Sequence, residues 1–383
     1  MTIRVGMFPS PFADDEWSRQ GNEILHFIAE ALEQEDCDII ALSQDDLRYP
    51  DHLTKQSIDV IHLHWPFLIY NFEEDRARAH QAGIWGKRYI PGLLHKWLDW
   101  KISRTSLKTV SNWAAHMRKS QIPLVWQIHD IISHHTQPNS PVFPADQMLY
   151  RAVYEYAGGI VLHEQSCADP VFARYGIRNH YTIGRLGDLS TTYGPQRDQK
   201  SAKESLRLTH TGKTFSYIGV ARPNRNPRNA CKAFLSVAGQ QDRLLVAGLG
   251  IDAYTRDISD QRIMLYPGFQ EPKRIRDLFC ASDFVVNDGE QYMTSGVIRT
   301  AMSYGVPVIT RPYGAAINMA QNAAIFIPES AEGLSRAFRE AMHINSDTLN
   351  SMRATAAMRH KERTWKKFAE SVTKLYREIC GID

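Results

Sequence analysis

The chain has 383 residues, and its 45 Lys and Arg residues against 42 Asp and Glu residues give a formal net charge of +3. This length can form two domain cores, and so small a charge does not by itself indicate nucleic-acid binding. The five cysteines are odd in number and never form Cys-x-x-Cys, which argues against a disulfide framework or a zinc knuckle and favours a reducing cytoplasm. The N-terminus leads directly into a strand pattern and no apolar run is long enough to span a membrane, so we expect neither export nor a transmembrane helix.

Apolar runs alternate with amphipathic helical patterns through the first half of the chain. The runs that predict strands span 3–8, 38–42, 60–64, 124–129 and 159–163, with a helix over 22–35 between the first two. This alternation is typical of βαβ units and of a mainly parallel sheet. A polar stretch with glycine and proline over 184–213 then interrupts the periodicity and predicts a domain boundary.

The same alternation starts again after this boundary. Further strands are predicted at 215–220, 244–248, 263–266, 284–287, 306–310 and 324–327. The sequence therefore predicts an α/β protein with two Rossmann-like domains, over 1–190 and 191–359. A final helix is predicted over 360–383, because apolar residues recur at helical spacing from Trp365 to Ile379.

The segment 287–310 reads as a polar loop, a helix that begins at Thr294-Ser295-Gly296, a glycine stop at Gly305 and a short buried strand. Small residues at a helix start let backbone N–H groups and the positive end of the helix dipole approach an anion closely. Phosphate is the expected anion. An ordinary capped helix packed beside a parallel strand is the alternative.

This segment resembles the nucleotide-sugar half of GT-B glycosyltransferases, especially bacterial exopolysaccharide enzymes with Thr-Ser-Gly before an Ala-Met-Ser-x-Gly-x-Pro-Val helix. The resemblance implies two Rossmann-like domains that face each other across a cleft, the first for the acceptor and the second for the donor, with the final helix packed back on the first. It assigns the diphosphate of a UDP- or GDP-sugar to a short run of residues: Tyr292, Met293, Thr294, Ser295 and Gly296. The two glutamates eight positions apart that retaining members commonly carry are absent, because Tyr292 and Thr300 stand at their places.

A strand followed by a glycine turn carries Arg222 and Arg225. Related GT-B enzymes have an arginine or a lysine at this turn, and Arg225 stands at the lysine position. A guanidinium can hold a diphosphate through two parallel hydrogen bonds and stabilise the leaving group without a metal. The resemblance places the nucleotide base near Phe269, in the turn 268–270. Solvated turn arginines and a core phenylalanine are the alternatives.

Polar and aromatic residues follow the predicted strands of the first domain. The third strand ends in His64 and Trp65, and the fifth is followed by Glu164. Because open α/β sheets bind ligands at the carboxyl ends of their strands, these residues are candidate acceptor contacts, together with Asp14 in the loop after the first strand. The alternatives are a hydrogen-bonded core histidine, an ion pair for Glu164 and a helix cap for Asp14.

The fourth strand runs into His129 and Asp130. This edge resembles the one that bears the catalytic aspartate in the xanthan-assembly glucuronosyltransferase, which is an inverting enzyme. An inverting transfer needs one general base near the acceptor hydroxyl, and a carboxylate can provide it. The resemblance thus implies Asp130 as the base, with His129 orienting the sugar or taking part in the proton transfer. A cap at Asp130 and a core histidine at His129 are the alternatives.

The leading hypothesis is a metal-independent glycosyltransferase of surface-polysaccharide assembly, which uses no cofactor and transfers a sugar to a saccharide acceptor. A basic and aromatic segment at 84–104 would suit a polyprenyl-linked acceptor at the inner face of the membrane, and a core helix with a solvated basic face is the alternative. The other hypotheses are a metal-dependent hydrolase that uses His62, His64 and His129, a nucleotide-sugar epimerase, and a non-catalytic sensor of nucleotide sugars.

Overall fold

The computed structural model describes residues 1–12, 23–86, 91–133, 136–178, 180–222, 224–289 and 293–382. The chain divides into two compact units, and each is named here by its number. Unit 1 comprises Met1–His163, Ala168–Arg185 and Trp365–Asp383, and unit 2 comprises Glu164–Cys167 and Leu186–Thr364. None of the described helices combines the length and the apolar character that a membrane crossing requires.

Unit 1 is built on a parallel sheet. Its strands are β1 (Ile3–Phe8), β2 (Cys37–Ala41), β3 (Val60–Leu63), β4 (Leu124–Gln127), β5 (Gly159–Leu162) and β6 (Tyr181–Ile183). Their order is β2-β1-β3-β4-β5-β6, so the strand order reverses between β1 and β3. Every residue of β3, β4 and β5 is buried, as expected for central strands covered on both faces. Strand β6 was not predicted, because it is a short, half-buried edge strand without an apolar run.

Helices flank this sheet. They are α1 (Glu23–Glu33), α2 (Gln44–Arg48), α3 (Phe72–Gly86), α4 (Pro91–Ser120), α5 (Phe143–Tyr156) and α6 (Ala168–Tyr175). Short 3-10 turns at Pro50–Lys55 and Pro66–Leu68 connect some of these elements. Helix α5 turns a buried stripe towards the unit core, with Leu149 and Val153 at i, i+4 spacing.

Unit 2 contains a second parallel sheet. Its strands are β7 (Thr214–Ile218), β8 (Arg243–Gly248), β9 (Ile263–Pro267), β10 (Phe284–Asn287), β11 (Val308–Thr310) and β12 (Ala324–Phe326). The order β12-β11-β10-β7-β8-β9 is the doubly wound order of dinucleotide-binding folds, with its reversal between β7 and β10. All strands predicted from the sequence are present in the two sheets, with ends that agree within about two residues.

The helices of unit 2 pack around a core of phenylalanine rings. They are α7 (Gln199–Ser205), α8 (Pro227–Leu235), α9 (Ile251–Thr255), α10 (Pro272–Cys280), α11 (Gly296–Ser303), α12 (Ala315–Ala320), α13 (Gly333–His343) and α14 (Ser346–Lys361). The Phe215 ring meets those of Phe234 and Phe338 edge to face, with centroids 5.8 and 5.2 Å apart. Such aromatic contacts add to the burial that stabilises this core.

The last helix, α15 (Trp365–Cys380), belongs to unit 1. A single helix beginning at 360 was predicted, and that start was wrong, because α14 ends at Lys361 and the apolar stripe begins only at Trp365. The stripe buries Phe368, Val372 and Tyr376. Gly159 of β5 lets the helix approach the sheet, since a Cβ there would lie 3.0 Å from a methyl carbon of Leu375.

Candidate active site

The switch point of unit 2 lies at the carboxyl ends of β7 and β10, and Arg225 is folded back onto it. Two backbone hydrogen bonds between Arg222 and Arg225, of 3.1 and 3.0 Å, close the turn after β7. Nη2 of Arg225 then donates to the carbonyl of Ile218 at 2.5 Å, and its guanidinium lies 5.3 Å from the ring centroid of Tyr217. Gly219 has φ of +134°, which favours glycine, and Nη1 of Arg225 lies 2.4 Å from the place that a Cβ would occupy.

Asp288, immediately after β10, joins this cluster. Its carboxylate accepts a 3.0 Å hydrogen bond from the Tyr217 hydroxyl, and its carbonyl accepts one of 3.0 Å from Nε of Arg311. Burial raises the pKa of Asp288, while the Tyr217 hydrogen bond and the charges of Arg225 and Arg311 oppose that rise. Asp288 therefore links the end of β10 to β7 through its carboxyl group and to Arg311, after β11, through its backbone carbonyl.

Helix α11 begins beside the same strand end. Ser295 is its N-cap and accepts from the Ile298 N–H at 3.3 Å, while Nδ2 of Asn287 donates to the Ser295 hydroxyl at 3.3 Å. The helix start opens into a small, shallow depression lined by Asn287, Gly289, Thr294, Ser295, Ile298, Thr310, Arg311, Tyr313 and Ala316. The lining therefore combines a helix start, hydroxyl groups and the cation Arg311.

Arg299, in the first turns of α11, was missed by the sequence reasoning. It is 2% exposed, and its Nη2 donates to Oγ1 of Thr294 at 3.3 Å. Its Nε and Nη1 have no hydrogen-bond partner among the described residues. Burial, and then the charge of Arg363, lowers the pKa of Arg299 to about 9, so the group is still positive at neutral pH. A buried, incompletely paired cation thus lies directly behind the helix start. An arginine on the buried face of a short amphipathic helix was the available signal.

Glu164 pairs with a cation inside unit 2. Nε and Nη2 of Arg363 donate to Oε1 of Glu164 at 3.0 and 2.7 Å, and both side chains are almost fully buried. An uncompensated charge in such a place is costly, so each group depends on the other. The structure therefore gives Glu164 the ion pair that was the alternative to an acceptor contact.

The carboxyl edge of unit 1 is occupied by buried imidazoles. His62 and His64 lie at the end of β3, His129 follows β4 and His163 follows β5. Nδ1 of His64 is 3.1 Å from Nε2 of His129. The ring of Trp65 stacks on His129 with centroids 4.4 Å apart. The structure thus brings together three of the predicted acceptor-side residues: His64, Trp65 and His129.

The imidazoles of His62 and His64 are held neutral. Burial lowers the pKa of His62 to about 3, and burial together with the neighbouring histidines lowers the pKa of His64 well below its usual range. Nε2 of His64 is buried and has no hydrogen-bond partner among the described residues. A buried N–H without a partner is rarer and costlier than a lone pair without one, so the proton of His64 belongs on Nδ1. His64 then donates to Nε2 of His129, whose own proton must lie on Nδ1.

Asp130 lies next to His129, half-buried, at the same strand end. A second carboxyl group, Asp146 in α5, lies in the same region, because both carboxylates act on the buried hydroxyl of Tyr150 and help to raise its pKa. Burial, and then the charge of Glu73, raises the pKa of Asp146 to about 7. The sequence reasoning missed Asp146, although an acid among apolar residues at helical spacing was a usable signal.

Comparison with protein families identifies the second half of the chain. Residues 212–343, all within unit 2, match the family model described as glycosyl transferases group 1. They form a group 1 glycosyltransferase domain. The prediction of a glycosyltransferase is confirmed by this domain. No curated protein sequence matches the chain significantly.

Solved structures share the fold of this glycosyltransferase over its whole length. Sucrose-phosphate synthase from Thermosynechococcus elongatus covers 100% of both chains with a TM-score of 0.69 and 13% identity. HepE from Anabaena, in complex with UDP, covers 99% of this chain and 100% of that one with a TM-score of 0.61 and 14% identity. The catalytic domain of starch synthase IV from Arabidopsis thaliana, bound to ADP and acarbose, covers 99% of both chains with a TM-score of 0.61 and 12% identity. At such identities the likeness shows the fold, and it confirms the predicted α/β GT-B architecture.

The remaining predicted site residues have different settings. Phe269 is 61% exposed in the turn after β9, where Nε2 of Gln270 donates to three backbone carbonyls and holds the turn. Met293 is buried, and its carbonyl accepts from Sγ of Cys167 at 3.3 Å. Tyr292 and Asp14 lie outside the described residues. In unit 2 the structure thus places four predicted residues around one switch point: Arg225, Thr294, Ser295 and Gly296.

Proposed function

We propose that this glycosyltransferase moves a sugar from a nucleoside-diphosphate donor to a saccharide acceptor without a metal ion. The observation that carries the proposal is the convergence of Arg225, Arg311 and the start of α11 on the switch point of the group 1 domain. Open α/β sheets bind ligands at this place, and cations with free helix N–H groups favour a phosphate there. HepE was solved with UDP and with UDP-glucose, which supports a nucleotide-sugar donor.

On the donor side, the chain stabilises the leaving group. Negative charge grows on the terminal phosphate as its bond to the sugar breaks. Arg225 and the backbone N–H groups at Ser295 and Gly296 bind that charge, with Thr294 as an additional hydroxyl donor. Arg222 lies in the same turn and completes the predicted phosphate contacts, and Phe269 offers an exposed ring for the base. Tyr292 and Met293 continue the predicted donor loop.

On the acceptor side, we assign the general base to Asp130. Its carboxylate takes the proton of the acceptor hydroxyl as that oxygen attacks the anomeric carbon, which inverts the configuration. His129, with its proton on Nδ1 and its ring fixed by His64 and Trp65, orients the sugar as a hydrogen-bond donor. Asp14 adds a contact from the loop after β1.

The proposed acceptor is an oligosaccharide on a polyprenyl diphosphate, and the proposed pathway is the assembly of an exopolysaccharide or surface polysaccharide in the cytoplasm, at the inner face of the membrane. The support is the resemblance of the Thr294–Gly296 region and of the His64 and Asp130 edges to such enzymes. Neutral imidazoles and an indole at one strand edge suit the hydroxyls and apolar faces of a sugar.

The other functions receive less support. A hydrolase would need His62, His64 and His129 as metal ligands, yet within the described part of the chain no group of three or more such side chains has the arrangement of a metal site. His134 and His135, two further histidines that the sequence offers as metal ligands, lie outside the described residues. An epimerase would rearrange the donor alone, and a sensor would bind it without reaction.

A thermal-shift screen against UDP-, GDP- and other nucleotide sugars, with and without EDTA, tests the proposal. We expect one donor to raise the melting temperature equally with and without EDTA, and a polyprenyl-linked oligosaccharide to gain one sugar with inverted anomeric configuration by NMR. Stabilisation that EDTA removes would favour the hydrolase. Isomerisation of the donor without an acceptor would favour the epimerase.

Arg225→Ala and Arg228→Ala form a matched pair for this screen. Arg228 is close in sequence, but its guanidinium is exposed and pairs with Asp257. The donor-induced shift should fall strongly in the first variant and stay in the second. An equal loss in both variants would contradict the placement of the diphosphate at Arg225.

A further inference from the structure

Helix α4 has two halves with different surroundings. Its C-terminal half buries Val110, Trp113 and Met117 at helical spacing and packs on α5. From 93 to 105 it has no fully buried residue. There it packs on α3, where Asp99 accepts from His80 at 2.8 Å. One face of this N-terminal half is therefore exposed.

That face consists of large apolar and basic residues. Leu93 is 76% exposed, Trp97 51% and Trp100 58%, and they follow one another at i, i+4 and i+7. The other exposed positions up to 108 are basic except for one threonine, and they are Lys96, Lys101, Arg104, Thr105 and Lys108. We call these eight residues the α4 face. They extend along about 24 Å of helix, at about 1.5 Å per residue.

Acidic side chains are absent from the α4 face. Asp99 is the one acid of α4 and is turned to α3, where Arg76 also contacts it at 3.4 Å. The exposed acid Glu74 of α3 is paired with Arg78 on its own helix. Lys101 and Arg104 lie over the Trp97 and Trp100 rings, at 5.1 and 5.5 Å. The indoles are thus exposed and already surrounded by positive charge.

We propose that the α4 face binds the surface of an anionic lipid bilayer. Exposed tryptophans enter the boundary between headgroups and acyl chains, and flanking Lys and Arg residues attract anionic headgroups. Helix α4 would lie in the plane of the interface with Leu93, Trp97 and Trp100 inserted. This surface does not depend on the donor site, so it can be tested apart from glycosyl transfer.

Charge and apolar surface together favour an anionic bilayer over a second copy of the chain or a nucleic acid as the partner of the α4 face. In a symmetric dimer through the α4 face, the basic residues of one copy would face those of the other, and like charges would repel. Nucleic acid would neutralise the charges but would leave Leu93 without an apolar partner, and the net charge of the whole chain is only +3. An anionic bilayer offers both an apolar layer and negative charge.

Vesicle flotation with the full-length protein tests the proposal. We expect binding to phosphatidylcholine vesicles that contain phosphatidylglycerol, weak binding to pure phosphatidylcholine, and a blue shift of tryptophan emission on binding. Trp97→Ser with Trp100→Ser should weaken binding by about tenfold or more and remove most of that shift. Lys101→Gln with Lys108→Gln should weaken it by about tenfold to thirtyfold at low salt.

Matched variants control for exposure and charge. Tyr49→Ser removes a 60% exposed aromatic ring elsewhere in unit 1, and Lys200→Gln with Lys232→Gln removes two exposed charges from unit 2. Both should bind vesicles as the unchanged protein does, and all variants should keep the donor-induced thermal shift. Three outcomes would overturn the proposal: no binding to anionic vesicles, binding unaffected by the tryptophan pair, or a solution dimer or RNA complex that these variants abolish while vesicles are not bound.

Discussion

The carboxyl edges of the two sheets carry opposite kinds of chemistry. In unit 2, Arg225, Arg299 and Arg311 bring positive charge to the switch point between β7 and β10. In unit 1, burial keeps the imidazoles of His62 and His64 uncharged. Both edges rest on parallel sheets with flanking helices, so the layers of the fold do not set this difference. The side chains at the strand ends set it. The cations of unit 2 suit the proposed anionic donor, and the neutral imidazoles of unit 1 suit the hydroxyl of the proposed acceptor.

Asp130→Asn should give the largest effect on transfer. The amide keeps the shape of the side chain but cannot take the acceptor proton, so turnover should fall about 10²- to 10⁴-fold while the donor-induced thermal shift stays. Initial rates with a lipid-linked acceptor measure this. Transfer within a few-fold of the unchanged enzyme would place the base elsewhere, and Asp146 would be the next candidate.

Asp146→Asn should change how stability depends on pH. The pKa of Asp146 is about 7 in the folded protein, above its ordinary value near 3.8, so the folded state holds this proton more tightly than the unfolded state. The protonated carboxyl group of Asp146 therefore contributes to the free energy of unfolding below pH 4, and this contribution is lost as the pH rises to about 7. The variant should therefore gain about 2–4 kcal/mol over the wild type between pH 4 and pH 8.

Urea unfolding of both proteins at the two pH values measures this gain. Asp169→Asn, on the exposed surface of α6, is the matched control. An Asp146→Asn difference that does not change between pH 4 and pH 8 would mean that the carboxyl group is ionised without penalty in the folded protein.

Arg299→Leu separates affinity from stability. Removing a buried cation from behind the helix start should weaken binding of a nucleoside diphosphate about tenfold. The free energy of unfolding should stay equal or rise, since an incompletely paired buried charge is lost. Arg363→Leu is the contrasting variant: it removes the ion-pair partner of the buried Glu164 carboxylate, and it should lower the free energy of unfolding by about 3–5 kcal/mol. Similar destabilisation in both variants would make Arg299 purely structural.

The His64 variants should give the smallest effect. Asn can replace the Nδ1–H donor of His64, whereas Leu cannot, so turnover should fall about twofold in His64→Asn and about tenfold in His64→Leu. Nitrogen-15 NMR of histidine-labelled protein should show His129 with its proton on Nδ1. A signal from the opposite tautomer would reverse the direction of the hydrogen bond between the two rings.

Most strands of the two sheets could be predicted, because they are buried runs of apolar residues bounded by polar residues. Phe284–Asn287 agrees residue for residue, whereas the half-buried strand Tyr181–Ile183 offered no such run. The N-cap at Ser295 could also be predicted, since a serine directly before a periodic segment is a local signal of a helix start. The start of the last helix was not, because residues 360–364 are mostly charged and fit either a helix or a break.

The buried charges were harder to predict, because their partners are distant in sequence. Arg363 meets Glu164 across 199 residues, and Tyr217 meets Asp288 across 71. Local spacing identified Glu164 as a polar residue at a strand end but could not show that a cation already occupies it. Helical spacing gave a signal for Arg299 and Asp146, but only the tertiary fold shows which charged groups surround their side chains.

A thermodynamic cycle on Arg225 tests the central claim most directly. Calorimetry would compare wild type and Arg225→Ala, each with the preferred nucleoside diphosphate and with the same nucleoside without phosphates. We predict a coupling of about 3 kcal/mol between the guanidinium and the diphosphate, with nucleoside binding unchanged by the substitution. A coupling near zero, or an equal loss for both ligands, would contradict a donor-phosphate site at the carboxyl edge of unit 2.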